Sequence, residues 1–434
     1  MTLQNEQPNI VDLFCGGGGV GEGFRRATGS SPTHSLNHCP HAIYMHSLNH
    51  PDSNHSLMSI YVADPTTWVG SNPAALWASV DCTHFSKAKG GKPLSNKLRA
   101  LASEVFDKWV RPLRPRVFFL ENVDEFKTWG PLDDSGRPIK DRQGEYFQKW
   151  VRDFRELGYT IAWKSLVACD YGAPTTRKRL FVVARRDGAE IAWPEPTYGQ
   201  GRPLPWRTAG ECIDWSIHCP SIFTRKRPLA EATQRRIAHG LKRYVLETDK
   251  PFVVDRQGQY IPWMISTRNG ERKGQTPRTR DVARPFPTVT SKGSQGALIA
   301  AWIAKNNGGV VGQALHEPAH TVTKRDSKGL VAAFLTKYYG SGKHNHQSLH
   351  DPLHTIRAKG NFSLVEITIQ GQRYTITDIG YRMLQPRELA RATGLDDTWQ
   401  LCGTKTEQIA RIGNMVPPAV VEALVRVNLP ELCQ

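Results

Sequence analysis

At 434 residues, with 39% hydrophobic and 22% charged side chains, the chain has room for one large domain with an insertion or for two to three domains. No apolar run approaches the roughly 18 residues that span a bilayer, and the start MTLQNEQPNIVDLF lacks the basic, apolar and small-residue succession of a secretory signal. A cytoplasmic protein with no membrane contact is therefore expected. Fifty-seven basic against 40 acidic residues leave a net charge of +17, which favours a polyanionic partner such as nucleic acid.

Residues 9–27, NIVDLFCGGGGVGEGFRRA, read as a short strand from Ile10 to Phe14, a glycine-rich turn and a helix starting near Gly21. Glycines allow a backbone to approach a ligand closely. Strand, glycine loop and helix in succession is how doubly wound α/β folds hold an adenosine-type cofactor; a plain tight turn is the alternative. The segment HSLNHCPHAIYMHSLNHPDSNH is rich in histidine around Cys39, but its spacing matches no closed zinc pattern and no metal is expected. The eight cysteines, Cys15, Cys39, Cys82, Cys169, Cys212, Cys219, Cys402 and Cys433, form no CxxC pair, which suits thiols in a reducing compartment.

Further strands are predicted at Ala74–Val80, Arg116–Leu120, Thr160–Ala168 and Arg179–Ala184, with helices at Asn96–Val110 and Tyr146–Leu157. Alternating strands and helices imply a mainly parallel sheet, so 1–190 reads as one α/β domain. From about Trp193 the chain turns rich in Pro, Gly, Arg and Trp. Here Pro285, Pro318 and Pro352, spaced by 33 and 34 residues, are each followed three residues later by a threonine (Thr288, Thr321, Thr355) and then by an apolar strand. These repeats form either a β array packed on itself or a surface for nucleic acid. Loop side chains such as Lys305, Asn306, Lys324, Arg325 and Asn345 suit phosphates and base edges. Helices are expected at Ile379–Leu395, Thr406–Arg411 and Pro417–Val427; a last segment, 377–434, that rejoins the first domain would make 191–376 an insertion.

Within the first domain, SVDCTHFSKAKGGKP places Cys82 after an apolar run, VFFLENVDEF places Glu121 at a strand end, and YGAPTTRKRLFVV places Arg177 and Arg179 two apart, on one side of a strand. A cysteine nucleophile needs a partner acid for the atom that gains electrons, and burial would raise the pKa of Glu121 and let it donate a proton. Singly, each has a plainer reading: a buried thiol, a surface acid, a solvated basic run.

The order DLFCGGGGVGEGF, CTHFS, ENV, YGAPTTRKR, LQPRELARATGLDDTW and QIARIGNMVPPAVVEAL resembles the DNA cytosine-5 methyltransferase family. The resemblance implies a Rossmann-like doubly wound catalytic domain with an inserted, mostly β target-recognition domain carrying the short repeats. It implies double-stranded DNA as partner and S-adenosylmethionine as cofactor, in a monomer. Carried over by residue, Cys82 attacks carbon 6 of a flipped cytosine, Glu121 protonates or hydrogen-bonds its ring nitrogen, and Arg177 and Arg179 hold the base. Phe14, Cys15 and Gly16, Gly17, Gly18 and Gly19 line the cofactor, Asp64 meets its adenine, and Asn414 lies near its reactive end. The chain departs from the family at Asp81 and Thr83 beside the nucleophile, at Thr175, and at Asn37 and Cys39, which replace acids, the former the one that holds the cofactor's ribose. Less negative charge there would tolerate an anionic cofactor such as carboxy-S-adenosylmethionine, with transfer of a group other than methyl. An RNA cytosine methyltransferase and a catalytically idle DNA-binding module remain as alternatives.

Overall fold

The structure, a computed structural model, describes residues 8–82, 85, 99–248, 251–255, 259–266, 271, 274–291, 296–305, 334–337, 346–348, 362–363, 366–369 and 372–434. It divides into two compact units: Met1–Cys212 with Pro285–Gly293 and Gln385–Gln434, and Ile213–Arg284 with Ser294–Leu384.

The first unit is built on a sheet in the order β3 (Asn54–Leu57), β2 (His34–Asn37), β1 (Ile10–Leu13), β4 (Ala75–Ala78), β5 (Val117–Asn122), β7 (Lys178–Arg185), β6 (Thr160–Val167). The first five run parallel, whereas β7 is antiparallel to both neighbours. Strands β1, β4 and β5 are buried throughout, as expected of strands covered on both faces, which read as continuous apolar runs. Because β1 pairs with β2 on one side and β4 on the other, the strand order reverses between β1 and β4. Their carboxyl ends flank the crevice where open α/β sheets bind ligands, and the glycine loop and Cys82 follow those two strands.

One face of the sheet is covered by the helix Glu145–Glu156, whose Phe147, Trp150, Val151 and Phe154 are buried. Their spacing of three, four and seven makes one helical stripe, and burying each ring contributes roughly 1.5–3 kcal/mol. The other face carries Val20, Phe24 and Ala27 of helix α1 (Gly19–Thr28) against Val420, Val421 and Leu424 of the helix Pro418–Asn428. The last stretch of chain thus completes the core begun by the first.

The unit boundaries differ from the expected 190 and 376. Beyond 190 the chain stays on the first unit: Ile191 and Trp193 pack against its core, and the Asn428 amide brackets Ala192, donating to its carbonyl at 2.9 Å and accepting from its N–H at 3.1 Å. At the other end, the helix expected over Ile379–Leu395 is a strand, Gln372–Met383, followed by a helix limited to Pro386–Ala392. Alternation in RYTITDIGYRM favours the strand. Pro386 cannot sit inside a helix but suits its first turn, where the Glu388 carboxylate accepts from Gln385 N at 2.7 Å.

In the second unit, Thr279–Asp281, Gln259–Ser266, Gly296–Lys305, Gln372–Met383 and Glu366–Ile369 lie side by side in one antiparallel sheet, with Val254–Asp255 at its side. Ile261, Trp263 and Ile265 alternate inward, as do Ala297, Ile299 and Ala301, in the two-residue period of a sheet with one face on a core. The helix Glu231–Leu241 comes so close that a Cβ on Gly240 would lie 2.0 Å from Trp263 Nε1. Pro285–Gly293, the start of the first repeat, belongs to the first unit and not to this one. Pro318, Thr321, Pro352, Thr355 and the side chains of the basic loop residues lie outside the described residues.

Candidate active site

The loop after β1 holds three residues in left-handed backbone conformations before α1 begins. Phe14 has φ 61° and Gly16 φ 56°; a bulky side chain at positive φ is uncommon and marks a locally strained, functional position. Gly18, at φ 99°, closes the turn with its N–H on Cys15 O at 3.1 Å. The other glycines serve the chain itself. Added Cβ atoms would approach Met415 Cε to 2.8 Å at Gly17, Val416 O to 2.2 Å at Gly19, and Val421 Cβ to 2.4 Å at Gly23. Gly16 alone among these has open space, its nearest neighbour being Phe14 O at 3.7 Å. Gly17, Gly19 and Gly23 thus let the C-terminal helices pack closely on this loop.

Sequence reasoning missed what stands behind this loop, although the repeated HSLNH was its signal. His50 Nε2 donates to Gly18 O at 3.0 Å and its Nδ1 lies 2.9 Å from Ser31 Oγ, so the hydroxyl donates to the ring. His46 Nδ1 lies 2.8 Å from His55 Nε2, and its other nitrogen is 3.9 Å from Asp12 Oδ2. Burial lowers His50 to about 4 and His46 well below its usual value, with the neighbouring histidines adding to the effect. Burial likewise raises Asp12 well above the carboxylate range. Among the described residues no three His, Cys, Asp or Glu side chains could hold a metal. These histidines are neutral supports of the turn.

Cys82 lies beyond the end of β4, where Phe85 N–H donates to its carbonyl at 3.0 Å; Thr83 lies outside the described residues. Opposite, β5 presents Glu121, 6% exposed, and β7 presents Arg179, with Arg177 in the turn just before it and Glu121 paired to Phe181 in the ladder. Glu121 Oε1 is 3.1 Å from Arg179 Nε and 3.9 Å from Arg177 Nη2. Arg179 Nε and Glu121 Oε1 nevertheless lack hydrogen-bond alignment, and Arg177 Nε has no acceptor among the described residues, so these buried atoms retain hydrogen-bonding capacity. Arg177 is fixed by two carbonyls, Gly413 O at 3.0 Å and Val289 O at 3.4 Å. Burial, helped by Arg179, lowers its pKa to about 10, which leaves it charged at neutral pH. Burial pushes the Cys82 thiol up and Glu121 adds to the rise, while Arg179 and Arg177 pull it back and Asp81 pushes it up again. Cys82 thus rests as a thiol facing one carboxylate and two guanidinium groups.

Other predicted positions divide. Asn37 ends β2, its Oδ1 accepting from Cys39 N at 2.9 Å. Asn414 is exposed at the end of the helix Lys405–Asn414, next to the Gly413 that holds Arg177. Asp64 caps the short helix Pro65–Val69, accepting from Thr66 N at 3.0 Å and from the Thr67 hydroxyl at 2.9 Å. Those hydrogen bonds lower its pKa. Both oxygens already serve the cap. Thr175, where the resemblance leads one to expect glutamine, is buried beside Phe286, with which it forms a parallel bridge.

A family model for C-5 cytosine-specific DNA methylases matches residues 8–428. Among similar proteins, the Type II methyltransferase M.AgeI of Thalassovita gelatinovora is 32% identical over 198 residues, covering 44% of this chain and 43% of that one. M1.HphI of Haemophilus parahaemolyticus is 29% identical over 222 residues, covering 49% and 53%. The chain spans about half the length of these curated relatives. Among solved structures, the S. pombe Dnmt2 methyltransferase aligns with a TM-score of 0.52 at 13% identity, covering 98% of this chain and 99% of that one, a likeness of fold.

Proposed function

The chain belongs to the C-5 cytosine-specific DNA methylase family, and on that premise we propose that it transfers a methyl group to carbon 5 of a cytosine in double-stranded DNA through a covalent adduct at Cys82. The observation that carries this reading is the cluster of Cys82, Glu121, Arg177 and Arg179 beside the crevice where the strand order reverses. Carbon 5 is not nucleophilic until a thiolate has added at carbon 6 and made the ring enamine-like. Inside a duplex it is out of reach, so the base must be turned out into a pocket.

Within this reading Cys82 Sγ bonds to carbon 6, its proton passing to solvent. Glu121, flanked by the two guanidinium groups, hydrogen-bonds or protonates the ring nitrogen where negative charge gathers. Arg179, with Arg177 behind it, holds the base by its oxygen. After transfer, loss of the carbon 5 proton expels the thiolate and restores the ring. S-adenosylmethionine would supply an electrophilic methyl group on a sulfonium. The residues fit it: Gly16 and Phe14 leave a backbone concavity open, and Asn37, whose Oδ1 is taken by Cys39 N, keeps its amide N–H groups for ribose hydroxyls. Asp64 enters through the helix cap it forms, and Asn414 through the turn next to Arg177.

Duplex DNA containing 5-fluorocytosine, with S-adenosylmethionine added, tests the proposal: once carbon 5 has taken the methyl group it carries fluorine in place of the proton whose loss would expel the thiolate, and the adduct accumulates. The wild-type protein should form a stable covalent complex with the duplex and not with transfer RNA, and Cys82→Ser should form none; adduct formation by the serine variant would refute the mechanism. The neutral pair Asn37 and Cys39 also favours a second reading, a carboxylated donor, which mass spectrometry of the modified cytosine decides: 5-methylcytosine as sole product rules it out.

A further inference from the structure

The stretch Pro285–Gly293 lies in sequence between two stretches of the second unit, yet it is part of the first. Its contacts fall on the loop that delivers the arginines. Phe286 N–H donates to Pro174 O at 2.8 Å, and Phe286 O accepts from Thr176 N at 2.8 Å, a short backbone pairing one residue before Arg177. The Phe286 side chain is 2% exposed and Val289 6%. Three residues after Phe286, Val289 O receives the Arg177 guanidinium, which Gly413 O receives as well. The approach to Gly413 is tight enough that a Cβ there would lie 2.2 Å from the Thr290 carbonyl carbon.

We infer that Phe286 is a positioning residue of the active site: anchored in the first unit, it pins the loop 174–176 and the Val289 carbonyl so that Arg177 is held towards Glu121 and Cys82. Two features make this more than packing. The departure at Thr175 sits in this pairing, its hydroxyl 3.5 Å from Pro287 O; a residue other than the family's glutamine is matched here by a partner from the inserted segment. And Arg177, buried with its Nε unpaired, has on this side no other described acceptors than the two carbonyls, one of which this segment supplies.

The inference rests on Cys82 acting as the proposed nucleophile, and the experiment separates the two. Rates of adduct formation on 5-fluorocytosine duplex DNA are measured from pH 6 to pH 10 for the wild type, Phe286→Ala, Arg177→Ala and the double variant. The groups that face Cys82 are Glu121, Arg179, Arg177 and Asp81, and of these Arg177 is the one released. Loss of a cation beside the thiol disfavours the thiolate, so the Phe286→Ala profile should move to higher pH. Its rate near neutrality should fall roughly tenfold to a hundredfold, the scale of an ångström's misplacement of a reacting group. In the double variant the Phe286 substitution should add no further loss, since both act through one guanidinium.

Thermal unfolding is followed in parallel, and Phe286→Leu, which keeps most of the volume and the backbone pairing, replaces the alanine variant if that one does not fold; it should show the same shift in smaller degree. An unshifted pH profile with losses that multiply in the double variant would overturn the inference. No adduct with the wild type would overturn the functional reading instead.

Discussion

Asp12→Asn probes the buried polar layer behind the glycine loop. Asp12 lies in β1, 0% exposed, with neither carboxylate oxygen hydrogen-bonded, and burial holds its pKa well above the usual range. A carboxyl group raised in this way costs nothing below its unfolded pKa near 4. From there to its folded value, stability falls by about 1.4 kcal/mol per pH unit, because the unfolded chain ionises and the folded one does not. Asparagine has the same shape and no proton to lose. The stability of the variant relative to wild type should therefore rise by about 1.4 kcal/mol for each unit between pH 5 and the folded pKa of Asp12. His46 and His50, both lowered by burial, act oppositely: their contribution is whole above about pH 6.5 and is lost as pH falls towards their folded values, but it is common to both proteins and cancels. Urea unfolding midpoints at pH 5, 6 and 7, followed by tryptophan fluorescence, give the differences. A difference that does not change with pH would refute the reasoning. So would a variant weaker by roughly 3–5 kcal/mol at pH 7, the mark of a broken charged pair, since Asp12 would then be ionised against His46.

Gly18→Ala should lower the melting temperature and weaken cofactor retention: the left-handed turn costs about 1–2 kcal/mol for a residue with a Cβ, and that atom would stand 2.9 Å from His50 Nε2 and 3.1 Å from Trp399. A variant that melts with the wild type would refute the close packing. Glu121→Gln should move the pH profile of adduct formation towards acid, and Arg179→Ala towards alkali, since these charges raise and lower the Cys82 thiol respectively; shifts of the same sign in pre-steady-state trapping would contradict that. Glu271 in the second unit is held at about 2, first by its hydrogen bond to Arg236, whose Nη2 is 2.7 Å from it. Its contribution is whole above its ordinary value of 4.5 and is lost as pH falls towards 2. Glu271→Ala should lower stability near neutrality and flatten that acid limb in acid-unfolding curves.

The catalytic half was legible because its signals are local. The strand and turn at 10–18, the alternation of strand and helix to 185 and the residues Cys82, Glu121, Arg177 and Arg179 all lie within short runs whose order is diagnostic, and the last three of those side chains come together around Glu121. The rest depends on contacts far apart in the chain. Nothing local to GGGGVGEG says that Gly19 and Gly23 make room for Val416 and Val421, some 400 residues later. Periodicity could not tell that the first PxxT copy leaves the β array, because pairing of Phe286 with Pro174 and Thr176 spans more than 100 residues. The helix expected at Ile379 failed for a related reason: pairing with Gly296–Lys305 decides that stretch, and cross-strand partners are invisible to a window of sequence.

The first unit is drawn from three separated lengths of chain, the last of them Gln385–Gln434. On a ribosome adding about 5–20 residues per second, β1 and α1 wait something like ten to forty seconds after residue 212 has been made before Val420, Val421 and Leu424 arrive to cover them. During that interval the apolar side of α1 is bare, and the second unit is synthesised inside the gap. Nascent chains should therefore lean on chaperones over this period, and the core of the first unit should close only once Leu424 has cleared the ribosome, as one late event.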